Sequence, residues 1–146
     1  MKRRVHAAMA MLSLVFISTF WVSTVVAELF LGPAGIAGVK QGIAYALLGF
    51  VPAMALTAGS GFALGGKGLH PLLLAKRRRM PYIAANGLLV LAPAAVFLAL
   101  RARAGLLDPV FYGVQALELV AGAANLALIG LNVRDGLRLR QRAPGH

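Results

Sequence analysis

The chain has 146 residues, of which 60% are hydrophobic and only 13% are charged, whereas about a quarter of the residues in a soluble domain are charged. The absence of cysteine excludes disulfide bonds, cysteine-ligated zinc, iron–sulfur clusters and cysteine catalysis. The net charge of +11 suggests nucleic acid at first, but twelve of the 15 basic residues lie in three short segments that flank the apolar stretches. Nucleic acid is therefore not a predicted partner.

Four apolar segments dominate the sequence, each roughly 19–24 residues long, which is enough for a helix to cross about 30 Å of hydrocarbon. Lipid offers the backbone no hydrogen-bond partners, so each segment must form a helix, and none alternates as a β-barrel strand does. We predict an all-α, integral membrane four-helix bundle with up-down-up-down topology, in a single transmembrane domain of residues 1–146. The helices are expected at about residues 5–31, 40–64, 81–103 and 110–139.

The first predicted helix, residues 5–31, has features of a signal peptide. A basic start, an apolar middle and Val-Val-Ala before Glu28 are typical of a segment that is cleaved, here after Ala27. The apolar run of about 23 residues exceeds the usual 7–15, however, so we expect a retained helix. It should end at Gly32 and Pro33, followed by an external loop, GPAGIAGVKQ, on the membrane surface.

The next two predicted helices each contain a proline near the middle. Pro52 and Pro93 remove a backbone hydrogen bond and should kink their helices. Between these helices, the His-Pro pair at residues 70–71 should prevent a helix, and residues 72–74 should form a short interfacial turn. The third helix is expected to begin at Pro81, a favourable first helical residue.

Polar side chains recur at helical spacing along the fourth predicted helix. The residues on this polar stripe are three or four positions apart. They are Gln115, Glu118, Gly122, Asn125, Ile129 and Asn132. Such a stripe in a membrane helix faces the bundle interior, a partner subunit or a water-filled path. Because Glu28 and Lys40 lie toward the same end of the bundle as Glu118, we predict a candidate intramembrane polar site there. Its members are Glu28, Lys40, Gln115, Glu118 and Asn125.

Three interpretations of this polar site are open at this point. Hydrogen bonds between polar side chains hold helices together in lipid, at about 0.6–2 kcal/mol each, which would make the site purely structural. A Glu118 carboxylate near Lys40 could instead bind a proton, a cation or a small polar solute. The stripe could also dock another membrane subunit.

The basic residues predict the orientation in the membrane. Most of the 15 Lys and Arg residues flank the predicted helices on one side of the bundle. They are Lys2, Arg3, Arg4, Lys67, Lys76, Arg77, Arg78, Arg79, Arg134, Arg138, Arg140 and Arg142. The positive-inside rule makes this side cytoplasmic, with both termini inside. The same basic segments are expected to bind anionic lipid head groups.

Three stretches of the chain carry a resemblance to known proteins. They are FWVSTVVAELF, KRRRMPYIAANGLLVLAPAAVFLA and FYGVQALELVAGAANLALIGLNVRDGLRL. These stretches resemble an uncharacterised family of small four-helix bacterial inner-membrane proteins, most specifically in IAANGLLVL and VQALELVAGAANLAL. The resemblance implies four helices and a multi-pass protein of the bacterial inner membrane. It implies no activity and no functional residue.

No catalytic set, nucleotide-binding motif or pair of metal ligands is apparent in the sequence, so no enzyme activity is predicted. His6 and His70 lie on the predicted cytoplasmic side and could ligate haem b. The leading interpretation is an accessory or scaffold subunit of a larger membrane assembly. The alternatives are a small oligomeric transporter or channel that uses Glu118, and a haem-b electron carrier. A membrane-protein partner is expected for the first interpretation, and a homo-oligomer for the second.

Overall fold

The computed structural model describes residues 2–64 and 71–141, and nearly all of these residues are helical. The helices are α1 (Lys2–Phe30), α2 (Pro33–Leu64), α3 (Pro71–Ala85), α4 (Ala92–Arg103) and α5 (Pro109–Gln141). A π-helical turn, Asn86–Leu91, joins α3 to α4 without a break, so that these three elements form one helical rod. The described ranges therefore form an all-helical fold of four rods and contain no strand.

Each rod includes a segment that is long and apolar enough to cross a membrane, by length and composition. These segments are Val5–Phe30, Pro33–Gly61, Leu74–Arg103 and Pro109–Arg138. Their most apolar windows have mean hydropathies between 1.6 and 2.2. The described part of the chain thus has the helices of a multi-pass membrane protein, as its four apolar segments predict.

Successive rods pack antiparallel. His6 near the start of α1 contacts Ser60 near the end of α2, and Gln41 near the start of α2 contacts Ala99 near the end of α4. The α5 helix closes the bundle by packing against α1, α3 and α4. We call the end of the bundle that holds the start of α1 and the end of α5 the basic end. The opposite end, which holds the α1–α2 and α4–α5 connections, is the loop end.

Both the interior and the outer surface of the bundle are apolar. In the interior, the Phe50 ring packs edge to face against Phe16 and Phe20, with centroids 6.2 and 5.7 Å away. On the outside, Leu48 and Leu89 are 80% and 75% exposed, and many other large apolar side chains are exposed with them. A soluble monomer rarely exposes apolar surface to this extent, whereas a lipid-facing rod does.

The second helix begins earlier than the sequence predicts. Its first residue is Pro33 rather than residue 40, and only Leu31 and Gly32 separate it from α1. The glycines of this segment suggest a loop because each costs a helix about 1 kcal/mol. In lipid, however, an unpaired backbone group costs several kcal/mol, so the helical state is favoured. As a result, Lys40 lies about two turns inside α2 instead of at its start.

The third rod also begins earlier, at Pro71 instead of Pro81, and the basic run of residues 76–79 is helical. Pro71 occupies the first helical position, where its missing N–H would have no helical partner in any case. The interfacial turn predicted at residues 72–74 is therefore part of α3. Arg79 forms an ion pair with Asp135 of α5, and this contact fixes the extended start of the rod against the bundle.

Pro93 coincides with a local change in helix type. The Ala92 N–H bonds to the Gly87 carbonyl oxygen, one residue further back than in an α-helix, which is the spacing of a π-helical turn. A proline ring collides with the carbonyl four residues before it, and a wider turn just ahead of Pro93 gives that carbonyl room. The kinks that the sequence predicts at Pro93 and Pro52 stay predictions; the structure places a π-helical turn just before Pro93 and continues α2 through Pro52.

The α4–α5 connection is a short capped turn. Gly105 adopts φ 71°, the left-handed conformation that glycine tolerates after a helix C-terminus. Asp108 caps α5, because its Oδ1 accepts a hydrogen bond from the Phe111 N–H at 3.0 Å. The Asp108 carboxylate also pairs with Arg101. The pKa of Asp108 is lowered mainly by the Phe111 N–H, and the Arg101 guanidinium adds to this effect against the opposing influence of burial.

Candidate intramembrane polar site

A buried ion pair joins α2 to α5 in the loop-end half of the bundle. Lys40 Nζ lies 2.5 Å from Glu118 Oε2 and also donates a hydrogen bond to Thr24 Oγ1 at 3.2 Å. The Lys40 side chain is 1% exposed and that of Glu118 is 12% exposed. Charges removed from water in this way are tolerated only when they are paired and hydrogen bonded. Each of the two charges therefore depends on the other.

The antiparallel packing of α1 and α2 brings Thr24 and Lys40 to the same depth. Thr24 lies about two turns before the end of α1, and Lys40 lies about two turns after the start of α2. Glu118 reaches the same level from α5, where it belongs to the polar stripe. The helices α1, α2 and α5 thus each contribute one polar side chain to the same level of the bundle.

The polar stripe of α5 faces the interior of the bundle along its length. Gln115, Asn125 and Asn132 are all buried, and Asn125 is completely so. Of the three orientations open to such a stripe, the structure shows the bundle interior. The polar stripe is consequently not exposed to a partner subunit.

Trp21 lies against the backbone of α5 beside the ion pair. Its Nε1 donates a hydrogen bond to the Leu119 carbonyl oxygen at 3.0 Å. A Cβ placed on Gly122 would lie only 3.1 Å from Trp21 Cδ1, so the glycine makes this close approach of α1 and α5 feasible. Trp21 and Glu118 line the same cavity.

This cavity is small, with a volume of about 30 Å³. Its polar lining comes from Trp21, Thr24 and Glu118, and the rest is mostly apolar, including Ile43 and Leu47. A water molecule requires roughly 10–15 Å³ of such volume. The cavity therefore has room for water beside the Glu118 carboxylate, but not for a solute much larger than water.

Two buried oxygen atoms toward the loop end have no hydrogen-bond partner among the described residues. They are Gln115 Oε1 and Glu28 Oε1. Gln115 lies about one turn from Glu118, and Glu28 lies about one turn beyond Thr24. Since an unpaired buried acceptor costs about 1–3 kcal/mol, each is a position for water or another donor. Glu28 does not join the ion pair, because the described partners of Lys40 are Thr24 and Glu118.

Asn125 belongs to a separate amide cluster nearer the middle of the bundle. Its Nδ2 donates to the Ile83 carbonyl oxygen at 3.2 Å, and its Oδ1 accepts from Asn86 Nδ2 at 2.9 Å. Asn86 Nδ2 also donates to the Ala121 carbonyl oxygen at 2.8 Å. Asn125 is about two turns from Glu118 along α5, and its described partners lie in the third rod. The predicted polar site therefore divides into an ion pair and an amide cluster.

The structure gives one described candidate for a haem ligand. His6 Nδ1 lies 2.9 Å from Ser60 Oγ, so one ring nitrogen is already hydrogen bonded to α2. His70, the second predicted ligand, lies outside the described residues. Within residues 2–64 and 71–141, no group of three or more His, Cys, Asp or Glu side chains is placed to hold a metal ion.

A second buried carboxylate lies at the basic end, and it is not among the site residues predicted from the sequence. Asp135 Oδ2 is 2.6 Å from Arg79 Nη1, and the Asp135 side chain is 2% exposed. Arg134 Nε lies 3.4 Å from the other carboxylate oxygen. The basic residues of these two segments predict an orientation in the membrane and conceal the one acidic residue among them. The available signal was a single aspartate among the basic residues that end α5.

Comparison with known proteins adds no relative: no protein-family model, curated protein or solved structure matches the chain. The bacterial inner membrane therefore stays a prediction from the sequence. The fold and the site define the class on their own. They are those of a small multi-pass helical membrane protein with a buried ammonium–carboxylate pair in its interior.

Proposed function

We propose that this membrane protein transfers protons through the Lys40–Glu118 pair. The observation that carries the proposal is a desolvated ammonium and carboxylate, 2.5 Å apart, next to a cavity of about 30 Å³. Ionisable residues inside a membrane bundle are costly, and in membrane proteins they commonly mark ion or proton pathways. The proposal gives Glu118 the role that the sequence suggests for a small transporter or channel.

The size and charge of the site favour a proton over the other candidates. A solute much larger than water does not fit the cavity beside Glu118. A metal cation would have to displace the Lys40 ammonium, which already occupies the Glu118 carboxylate. A proton can bind the Glu118 carboxylate without a larger cavity and without a cation taking the place of Lys40. The cavity also has room for the water that would carry the proton.

Electroneutrality suggests how the pair would work. The ion pair carries no net charge. The form in which the proton has moved from Lys40 to Glu118, a neutral carboxyl beside a neutral amine, carries none either. A net charge in a low-dielectric interior is strongly disfavoured. Arrival of a proton on Glu118 would therefore be matched by loss of a proton from Lys40. Thr24 Oγ1 accepts a hydrogen bond from the Lys40 Nζ group and would hold it in place throughout.

We further propose that the loop end faces the outside of a bacterial inner membrane and that both termini are cytoplasmic. The support is the excess of Lys and Arg in the segments of the basic end, which the positive-inside rule assigns to the cytoplasm. Arg77 and Arg78 are exposed on α3. They would bind anionic lipid head groups, each contributing about 1 kcal/mol near the surface.

Proton flux into proteoliposomes tests the proposal. Purified protein would be reconstituted with an internal pH-sensitive dye, and a potassium gradient with valinomycin would drive proton entry. We expect wild-type vesicles to acidify faster than empty vesicles, and Glu118→Gln vesicles to match the empty ones. Asp108→Asn is the matched control, because Asp108 is a carboxylate of the α4–α5 connection rather than of the interior. It should conduct like the wild type.

Two outcomes would overturn the proposal. One is a wild-type protein that is no more permeable to protons than empty vesicles. The other is a Glu118→Gln variant that conducts as well as the wild type. Stoichiometric recovery of other membrane subunits with a non-conducting wild-type protein would support the accessory or scaffold interpretation instead. That role would have to use the apolar outer faces, because the polar stripe is buried. An absorbance scan of the same sample tests for haem b.

A further inference from the structure

A second and larger cavity lies at the basic end of the bundle, away from the ion pair. Its volume is about 230 Å³, and α1, α2, α3 and α5 all contribute to its walls. Met11 and Leu137 form part of the lining and are more than half exposed, so they lie at its rim. An apolar cavity of about 150 Å³ is large enough for benzene. This cavity therefore has room for a single ring with substituents.

Deep in this cavity are two polar groups whose hydrogen bonds are not satisfied. Ser13 and Asn132 both line it and are 2% and 7% exposed. Neither Ser13 Oγ nor Asn132 Oδ1 has a hydrogen-bond partner among the described residues. The Asn132 Nδ2 group has only the Met80 sulfur, at 3.6 Å. Buried groups of this kind are usually hydrogen bonded. Ser13 Oγ and Asn132 Oδ1 therefore indicate that a polar atom of a ligand binds here.

The other end of the cavity carries positive charge. Lys76 lines it and has no ion-pair partner within the described ranges, and His6 is the other titratable side chain that lines it. None of the described lining residues is acidic. The cavity is therefore complementary to an anion at the level of Lys76, in contrast to the paired charges of Lys40 and Glu118.

The two polar regions are separated along the bundle axis by apolar and thioether groups. On α3, Lys76 is about one turn nearer the basic end than Met80, which contacts Asn132. On α1, Ser13 lies about 10 Å further from the basic end than His6. Met80 lines the cavity between these regions, whereas the Met54 methyl group lies beside Gly87 at the level of Asn125, deeper in the bundle than Asn132. Methionine sulfur packs favourably against aromatic rings, so the region around Met80 suits a ring.

We propose that this cavity binds a small aromatic carboxylate that carries a hydroxyl on the far side of its ring. The carboxylate would pair with Lys76, and the ring would lie against the Met80 thioether. The hydroxyl would donate a hydrogen bond to Asn132 Oδ1 and accept one from Ser13 Oγ. An alkyl carboxylate would leave both of these buried groups unpaired. The site does not depend on the Lys40–Glu118 proposal, since it uses other residues at the opposite end.

Binding of 4-hydroxybenzoate to the purified full chain in detergent, measured by isothermal titration calorimetry, tests this inference. We expect saturable binding of one molecule per chain. Benzoate lacks the hydroxyl and phenol lacks the carboxylate, so each should bind at least about tenfold more weakly. The double variant Ser13→Ala/Asn132→Leu should bind 4-hydroxybenzoate and benzoate equally, because it removes both of the groups that distinguish them.

The neighbouring basic residues supply a matched pair of variants. Lys76→Gln should weaken binding at least about tenfold, and Lys76→Arg should restore it. Arg77→Gln removes the same charge from an exposed residue that is not in the cavity lining, and it should bind like the wild type. Absence of saturable binding to the wild type, or equal losses in Lys76→Gln and Arg77→Gln, would overturn the inference.

Discussion

Arg79 and Asp135 face each other between the third rod and α5, with Arg79 Nη1 and Asp135 Oδ2 2.6 Å apart. The carboxylate is almost fully buried, whereas the guanidinium is about a quarter exposed. Loss of the arginine would leave the buried carboxylate with only its longer contact to Arg134, at 3.4 Å. We therefore expect Arg79→Gln to lower the free energy of unfolding by about 3 kcal/mol. Denaturation in mixed detergent and SDS micelles measures this change.

The neighbouring Arg78 provides the control for that experiment. It is exposed on the same helix, so Arg78→Gln should change the free energy of unfolding by less than about 0.5 kcal/mol. A double variant, Arg79→Met with Asp135→Leu, should be more stable than Arg79→Gln, because it removes both charges and leaves neither unpaired. Equal effects of Arg79→Gln and Arg78→Gln would contradict this account of the ion pair.

Gly122 determines how closely α1 approaches α5. A Cβ at this position would lie 3.1 Å from Trp21 Cδ1, so Gly122→Val should displace the indole and destabilise the bundle by about 1–3 kcal/mol. Gly113→Val is the matched control on the same helix, because a Cβ there meets nothing within 4 Å. Trp21 is the single tryptophan, so its fluorescence reports the displacement directly. An unchanged emission spectrum in Gly122→Val would contradict the predicted contact.

Asn125 is expected to stabilise the packing of the third rod against α5. Asn125→Leu removes its hydrogen bond to the Ile83 carbonyl and the acceptor of the Asn86 amide. Each interhelical hydrogen bond in a membrane bundle contributes about 0.6–2 kcal/mol, so a loss of about 1–3 kcal/mol is expected from the same SDS titration. Proton flux should persist in folded Asn125→Leu, since Asn125 is about two turns from Glu118. A stable Asn125→Leu protein that no longer conducts would show that the amide cluster takes part in transfer.

The cap on α5 predicts a specific dependence of stability on pH. The pKa of Asp108 is lowered in the folded protein, first by the Phe111 N–H and then also by Arg101. A lowered folded-state pKa means that the stabilisation is fully present above the unfolded-state pKa, about 3.9, and is lost as pH falls through the folded-state value. Thermal unfolding in detergent would be measured at pH 6 and below pH 4. Between these two conditions, the melting temperature of Asp108→Asn should fall less than that of the wild type. Identical decreases would contradict the assignment.

The four rods and the polar stripe could be predicted from the sequence because their physical causes are local. A run of about 20 apolar residues must be helical in lipid, and steps of three and four residues put Gln115, Glu118 and Asn125 on one side of a helix. These features require no knowledge of how the rods pack.

The partners of individual side chains depend on packing and could not be predicted in the same way. Glu28 and Lys40 were both candidates to meet Glu118, and only the crossing of α1 and α2 decides in favour of Lys40 and Thr24. The early start of α2 follows from the cost of an unpaired backbone in lipid, which outweighs the loop signals of its glycines. The Arg79–Asp135 pair spans two distant segments, so no local spacing reveals it.

A last pair of variants separates the structural role of Lys40 and Glu118 from their proposed function. Lys40→Met leaves the Glu118 carboxylate unpaired in the interior and should destabilise the fold by about 3–5 kcal/mol. The double variant Lys40→Met/Glu118→Met replaces both charges with apolar side chains of similar length, so it should be close to the wild type in stability. If the pair transfers protons, this stable double variant should give proteoliposomes that acidify no faster than empty vesicles. A double variant that is stable and conducts like the wild type would leave the ion pair with a packing role alone.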